Sequence, residues 1–216
     1  MEPAHSQPRS GGDLEHYFER IEGWFKFAPA YRQAVEEAPD CATFVEVGCY
    51  QGRSTAFLGV EILRSGKQIS LHCVDIWPPD AFAPDGRTLR AAFEANMGPL
   101  QERGLSLSLH AQGSPAAAAA FEERSVDFVW LDGDHTFEAV GMDIAAWLPK
   151  LRFGAVLGGD DWRFPGVARA VRQAFKADFS IRYDDHWAWW WHRVKAAPAT
   201  NRPGRLGRAS RPDGRR

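Results

Sequence analysis

The stretch from Thr43 to Thr55, TFVEVGCYQGRST, constrains the fold more than any other part of the 216-residue chain. Its β-branched and apolar run, Thr43, Phe44, Val45 and Val47, predicts a strand. Gly48 and Gly52 predict a tight turn, and Arg53 to Leu63 reads as a helix. Glycine lets the backbone turn sharply and approach a ligand closely, and the first N–H groups of the following helix have no partner within it. The turn is therefore a cradle for a nucleotide-type ligand, with an ordinary strand-to-helix turn as the plainer alternative. Tyr50 stands where the G-x-G-x-x-G dinucleotide fingerprint needs glycine, which weakens an NAD reading. Glu46, at the end of an otherwise apolar strand, is costly to bury unless something pairs with it.

The same alternation runs along the chain. Gln68 to Ile76 predicts a strand reaching Asp75, Leu105 to His110 an alternating strand, Val126 to Leu131 a fourth and Gly154 to Gly159 a fifth. Helices are expected over Thr88 to Met97, from Ser114 as N-cap with Pro115 as first helical residue to Phe121, over Thr136 to Leu148, and over Pro165 to Lys176. Phe179 to Tyr183 and Trp187 to Val194 bracket Asp184-Asp185-His186 as a hairpin. Strands and helices at this spacing predict an α/β domain, its sheet mainly parallel with helices on both faces.

Ahead of this body, residues 1–12 are polar and expected to be disordered, and Asp13 is expected to cap a short helix, LEHYFERI, that Gly23 breaks. A second helix, YRQAVEEA, opens after Pro29 and stops at Pro39. The Pro- and Gly-rich WPPDAFAPDG after the second strand is a candidate lid with Trp77 at its base. Alternation puts Trp187, Trp189 and Trp191 on one face of the last strand and Trp190 on the other, which favours core packing over an exposed stacking surface.

Charge narrows the partners. The segment after Lys195 holds six arginines and one acid, so of 26 basic and 28 acidic side chains, residues 1–195 keep 20 and 27, a net of −7. An acidic folded part disfavours nucleic acid as the main substrate, and a homo-oligomer is compatible. Residues 196–216 lack apolar periodicity and are expected to be a disordered Arg-rich tail on a domain spanning 13–195. Cys41, Cys49 and Cys73 have no C-x-x-C spacing and read as reduced core thiols of a cytoplasmic protein. No apolar run is long enough to span a membrane, and the N-terminus lacks the apolar centre of a signal peptide.

In open α/β sheets ligands sit beyond the carboxyl ends of the strands. Here those ends carry Glu46, Asp75, Asp132, Asp134, His135, Asp160 and Asp161. So many carboxylates repel one another unless a cation or donors neutralise them, and Asp132, Asp160 and Asp161 on two neighbouring strand ends suit a hard divalent cation. Helix capping by Asp132 and Asp161, and a simple carbonyl bond for His135, are the structural alternatives.

Glu46-Val47-Gly48-Cys49-Tyr50-Gln51-Gly52 resembles the first motif of class I S-adenosylmethionine-dependent methyltransferases, in the variant of catechol-type O-methyltransferases that lacks the middle glycine. The resemblance implies a Rossmann-like, mainly parallel seven-stranded sheet closed by an antiparallel hairpin. It implies S-adenosylmethionine as cofactor, with Glu46 meeting its methionine amino group, Gly48 and Gly52 under its ribose and sulfonium, Asp75 on the ribose hydroxyls, and Ser114 near the adenine. N-terminal helices in this family often cross the cofactor mouth, which makes Tyr17, Trp24 and Phe27 candidate pocket residues. LDGDH and GGDDW match the positions where catechol-type and macrolide-sugar O-methyltransferases hold magnesium. That implies Asp132, Asp160 and Asp161 as metal ligands, Asp132 also beside the cofactor, and His135 as the base that deprotonates a sugar, catechol or natural-product hydroxyl. The alternative from another class is a non-catalytic binder of S-adenosylmethionine or a nucleotide sugar with the same fold.

Overall fold

The computed structural model describes residues 14–182 and 187–193. Seven strands form one sheet in the order β3-β2-β1-β4-β5-β7-β6: β1 Thr43–Val47, β2 Ser70–Asp75, β3 Ser106–Ala111, β4 Val126–Leu131, β5 Leu151–Gly159, β6 Ser180–Arg182 and β7 Ala188–His192. The pairs among β1 to β5 are parallel, and β7 runs antiparallel to both β5 and β6. Six helices cover it: α1 Ala28–Glu37, α2 Arg53–Ser65, α3 Leu89–Gln101, α4 Ser114–Ala118, α5 Phe137–Trp147 and α6 Pro165–Phe175. The α/β sheet with its closing hairpin is the expected one. The expected disorder of residues 1–12 and 196–216, the Asp13 cap and the turn Asp184-Asp185-His186 lie outside the described residues.

The sheet's two faces follow from strand alternation. Phe44, Leu71, Cys73, Phe128, Trp130 and Trp190 pack against α1, α2 and α3 in one core. Val45, Val47, Val74, Val129, Leu131, Leu157 and Trp189 pack against α4, α5 and α6 in the other. Trp189 and Trp190 are each 1% exposed, so these two tryptophans of the aromatic run serve opposite cores. No described helix is long and apolar enough to cross a membrane.

Three local expectations change. LEHYFERI forms only a 3₁₀ turn at Phe18–Arg20. The Leu14 and Ile21 carbonyls accept from Arg64 and Arg53 of α2, and the Tyr17 hydroxyl donates to the Asn96 carbonyl, so these outside partners hold the segment along α2 as an extended strap. Cys41 is exposed in the turn before β1, while Cys49 and Cys73 are buried as expected. Gly113, not Ser114, is the N-cap of α4, and the Ser114 hydroxyl instead accepts from the Trp147 indole at 2.9 Å.

Candidate active site

The parallel ladder continues one residue past the strands and lines up the site. The Gly48 N–H donates to the Val74 carbonyl, the Asp132 N–H to Val47, and the Asp160 N–H to Leu131, at 2.8–3.2 Å. The turns after β1, β2, β4 and β5 thus stand side by side and border one cavity of about 820 Å³, which Gly48, Asp75, Ser114, Asp132, His135, Asp160 and Asp161 all line. Of the six non-glycine residues with positive φ among the described residues, three stand at its edge: Tyr50 and Asp161 line the cavity with φ of 47° and 58°, and Trp77 beside it has 34°. Non-glycine residues held in this region concentrate where a structure fixes a ligand site.

At the β1–β2 end the turn is built from backbone. Gly48 has φ 87°, and a Cβ there would lie 2.0 Å from the Asp132 carbonyl oxygen. Its glycine is required by the close approach of the β4 turn as much as by its conformation. Gly52, φ 89°, is the N-cap of α2, and a Cβ there would press on Met97 and Phe93 of α3. Asp75 Oδ2 accepts the Cys49 and Tyr50 N–H groups at 2.8 and 2.9 Å, and Oδ1 accepts the Trp77 N–H at 2.9 Å. A carboxylate offers about four lone-pair positions, so Asp75 splints the turn and keeps one position for a ligand in the cavity.

Glu46 lies behind the cavity wall. It shares the strand face of Phe44 and points toward α1 and α2, fully buried and absent from the cavity lining. Oε1 accepts from the Tyr31 hydroxyl at 2.7 Å and the Ser54 hydroxyl at 2.6 Å, and Oε2 from the Thr55 hydroxyl at 2.5 Å. Burial raises its pKa, and these three hydrogen bonds pull it back. This cage of hydroxyls anchors the first turn of α2 beneath the cradle.

The β4–β5 end is built from charge. His135 Nε2 lies 2.6 Å from Asp161 Oδ2, and the His135 ring stacks on Phe164 at 4.9 Å between centroids. One donor atom each from Asp132, His135 and Asp161 falls within 4.8 Å of the others, a grouping that could hold a metal ion. Asp160, expected among the ligands, borders the same space but stands outside this group, with its Oδ1 buried and lacking a hydrogen-bond partner. Burial, then the Asp160 and Asp161 charges, hold Asp132 well above the usual carboxylate range, and burial pushes Asp160 up to about 6. The donors are hard oxygens with one imidazole, a set suited to a divalent cation such as magnesium or manganese. Neither Asp132 nor Asp161 caps a helix, since Thr136 and Phe164 hold the N-cap positions of α5 and α6.

Of the aromatic candidates at the mouth, only Trp24 lines the cavity; Tyr17 bonds to Asn96 and Phe27 is buried among Phe25, Tyr31 and Trp130. Asp143 and Lys26 are among the cavity residues that the sequence did not single out, and Trp187, expected in the core, lines the mouth instead. Asp143 on α5 is 8% exposed and has its carboxyl raised to about 6 by burial, partly offset by a hydrogen bond from Ser114. Its place in FEAVGMDIAAW carries no signal except an acid amid apolar residues. Lys26 and Trp187 line the mouth from segments far apart in sequence, which no local pattern reveals.

The profile of a methyltransferase domain family matches residues 45–162, from β1 to the turn after β5. No curated protein matches the sequence. Among solved structures, the O-methyltransferase NovP superposes with a TM-score of 0.58 at 17% identity, over 78% of this chain and 79% of its own. The apo TDP-rhamnose 3'-O-methyltransferase of calicheamicin biosynthesis gives 0.53 at 17% identity, over 76% and 77%. A protein from Streptococcus mutans described as a methyltransferase, in complex with SAH, gives 0.57 at 10% identity, over 80% and 100%. These identities speak to fold, while the family profile spans more than half of the chain and both halves of the cavity. The chain therefore belongs to the methyltransferase domain family, and its fold is the one these methyltransferases share.

Proposed function

We propose that the protein methylates a hydroxyl oxygen of a small molecule, with S-adenosylmethionine as donor and a divalent cation, magnesium by preference, at the acidic end of the cavity. The observation that carries this reading is that one cavity joins the Gly48 turn and Asp75 to Asp132, Asp160, Asp161 and His135. The fit of each group rests on what the chain leaves open there: a spare acceptor position on Asp75 for a diol such as ribose, and an orphaned Asp160 oxygen among like charges for a cation. Bound S-adenosylmethionine would supply an electrophilic methyl group, and a cation on the acidic residues would stabilise negative charge on the attacking oxygen. Gly48 would lie against the cofactor, Gly52, which packs on α3 and does not line the cavity, would shape the turn from behind, and Ser114 would shape the wall through its bonds to Trp147 and Asp143. Glu46 would act through Ser54 and Thr55, not by contact.

His135 would take the hydroxyl proton. Its side chain is 42% exposed to the cavity mouth, and Asp161 fixes the ring. An Nε2–H donated to Asp161 leaves Nδ1 as the accepting nitrogen. His135→Ala should lower turnover roughly 10²–10⁴-fold, the usual worth of general base catalysis, with unchanged affinity for S-adenosylhomocysteine. The assay is methyl-ether formation on a panel of catechols, sugars and hydroxy acids. Cofactor binding without turnover of any hydroxyl would return the protein to the non-catalytic alternative, and an unaffected His135→Ala variant would remove the base.

A further inference from the structure

Trp187 at the mouth of the cavity is reached by two cations that the reading above does not use. Lys26, after the strap, and Arg163, in the turn between β5 and α6, both reach the ring of Trp187, which precedes β7. The Lys26 Nζ lies 5.5 Å and the Arg163 guanidinium carbon 5.2 Å from its centroid. Among the described residues neither makes a side-chain hydrogen bond or an ion pair. Both are exposed, yet they converge on one indole from separate segments of an acidic protein. Phe164 lies between this cluster and the catalytic end: it stacks on His135 at 4.9 Å and stands 6.4 Å from Trp187. Lys26 is also close enough for its charge to favour ionised Asp160. Trp24, 86% exposed, completes the rim on the side of Lys26.

An exposed tryptophan beside cations held over a second tryptophan is a surface for a planar or apolar frame that ends in negative charge. The flat faces take the frame by stacking, and the ammonium and guanidinium donate charge-assisted hydrogen bonds to a carboxylate or phosphate. The acids deeper in the cavity repel such an anion, so it can point only outward, with its hydroxyl toward His135. We propose that the acceptor is an anionic hydroxy compound whose carboxylate or phosphate is held by Lys26 and Arg163 at the Trp187 ring. The proposal deepens the methyl-transfer reading and rests on it for the direction in which the acceptor lies.

The test is calorimetric titration of the full chain, with S-adenosylhomocysteine and magnesium present, using matched pairs. These are catechol against 3,4-dihydroxybenzoate, and a hexose against its phosphate, so that the arms separate carboxylate from phosphate. At least one anionic member should bind roughly tenfold more tightly than its neutral parent, the scale of two partly exposed charge contacts. The preference should vanish in Lys26→Gln/Arg163→Gln and shrink in about 0.5 M salt, while affinity for S-adenosylhomocysteine stays the same. Equal affinity within both pairs, no binding by any member, a preference that survives the double substitution, or a parallel loss of S-adenosylhomocysteine binding would each overturn it. Methyl transfer to the same compounds is measured in parallel. Anion preference without turnover counts against the methyl-transfer reading alone, and turnover of neutral parents without preference counts against this proposal alone.

Discussion

At the β1–β2 end of the cavity each carboxylate is provided for by the chain: Glu46 has three hydroxyl donors and Asp75 three backbone N–H donors. At the β4–β5 end the Asp160 and Asp161 charges raise the cost of ionising Asp132, one Asp160 oxygen is buried without a donor, and among the described residues His135 is the one basic group that pairs with Asp161. The first end is a finished mould for a ligand's shape. The second is stable only to the extent that protons or a cation relieve it. The contrast assigns shape recognition to one half and charge chemistry to the other.

The largest effect should come where the halves touch. Gly48→Ala puts a methyl group into the Asp132 carbonyl at a backbone angle that alanine resists, and should cost about 3–5 kcal/mol. Urea unfolding measures it; an unmoved midpoint would mean that the two turns are not in register.

Glu46→Ala tests the finished half alone. It orphans the Tyr31, Ser54 and Thr55 hydroxyls and should cost about 2–4 kcal/mol, with Glu46→Gln costing less because one carbonyl acceptor survives. If the two variants were equally stable to denaturant, the hydroxyl cage would not be what holds α2.

The smallest effect separates buried charge from clustered charge. Asp143 has its carboxyl raised from 3.8 to about 6, so the folded state binds the proton more tightly than the unfolded one, and stability falls as pH rises through that window. Asp143→Asn removes the dependence and should stabilise the protein by about 1–2 kcal/mol at about pH 7.5, with no gain at about pH 4. Melting curves at the two pH values check the sign; a loss of stability at the higher pH contradicts it.

The fold was legible because alternating strands and helices with glycine turns leave few arrangements, and the acids at the strand ends were legible because turns follow strands. The direction of Glu46 was not. Strand parity puts it with Phe44 on the α1–α2 face, but its partners Tyr31, Ser54 and Thr55 lie on two helices whose packing no single stretch encodes. The strap over residues 14–21 was misread as helix because arginines 32 and 50 residues away tie it down. The acidic end shows the same limit. Sequence placed Asp132, Asp160 and Asp161 together, but the grouping of donors that includes His135 and leaves Asp160 outside depends on the left-handed turn at Asp161.

On the proposed function the acidic half needs a cation and the other half does not. The direct measurement is thermal unfolding and S-adenosylhomocysteine titration of the wild type and Asp132→Ala, each with magnesium and with chelator, beside methyl transfer by the wild type. Magnesium should raise the wild-type melting midpoint by a few degrees and leave Asp132→Ala unmoved, and chelator should stop methyl transfer while S-adenosylhomocysteine affinity stays the same. A midpoint indifferent to magnesium, with full turnover in chelator, would contradict the account.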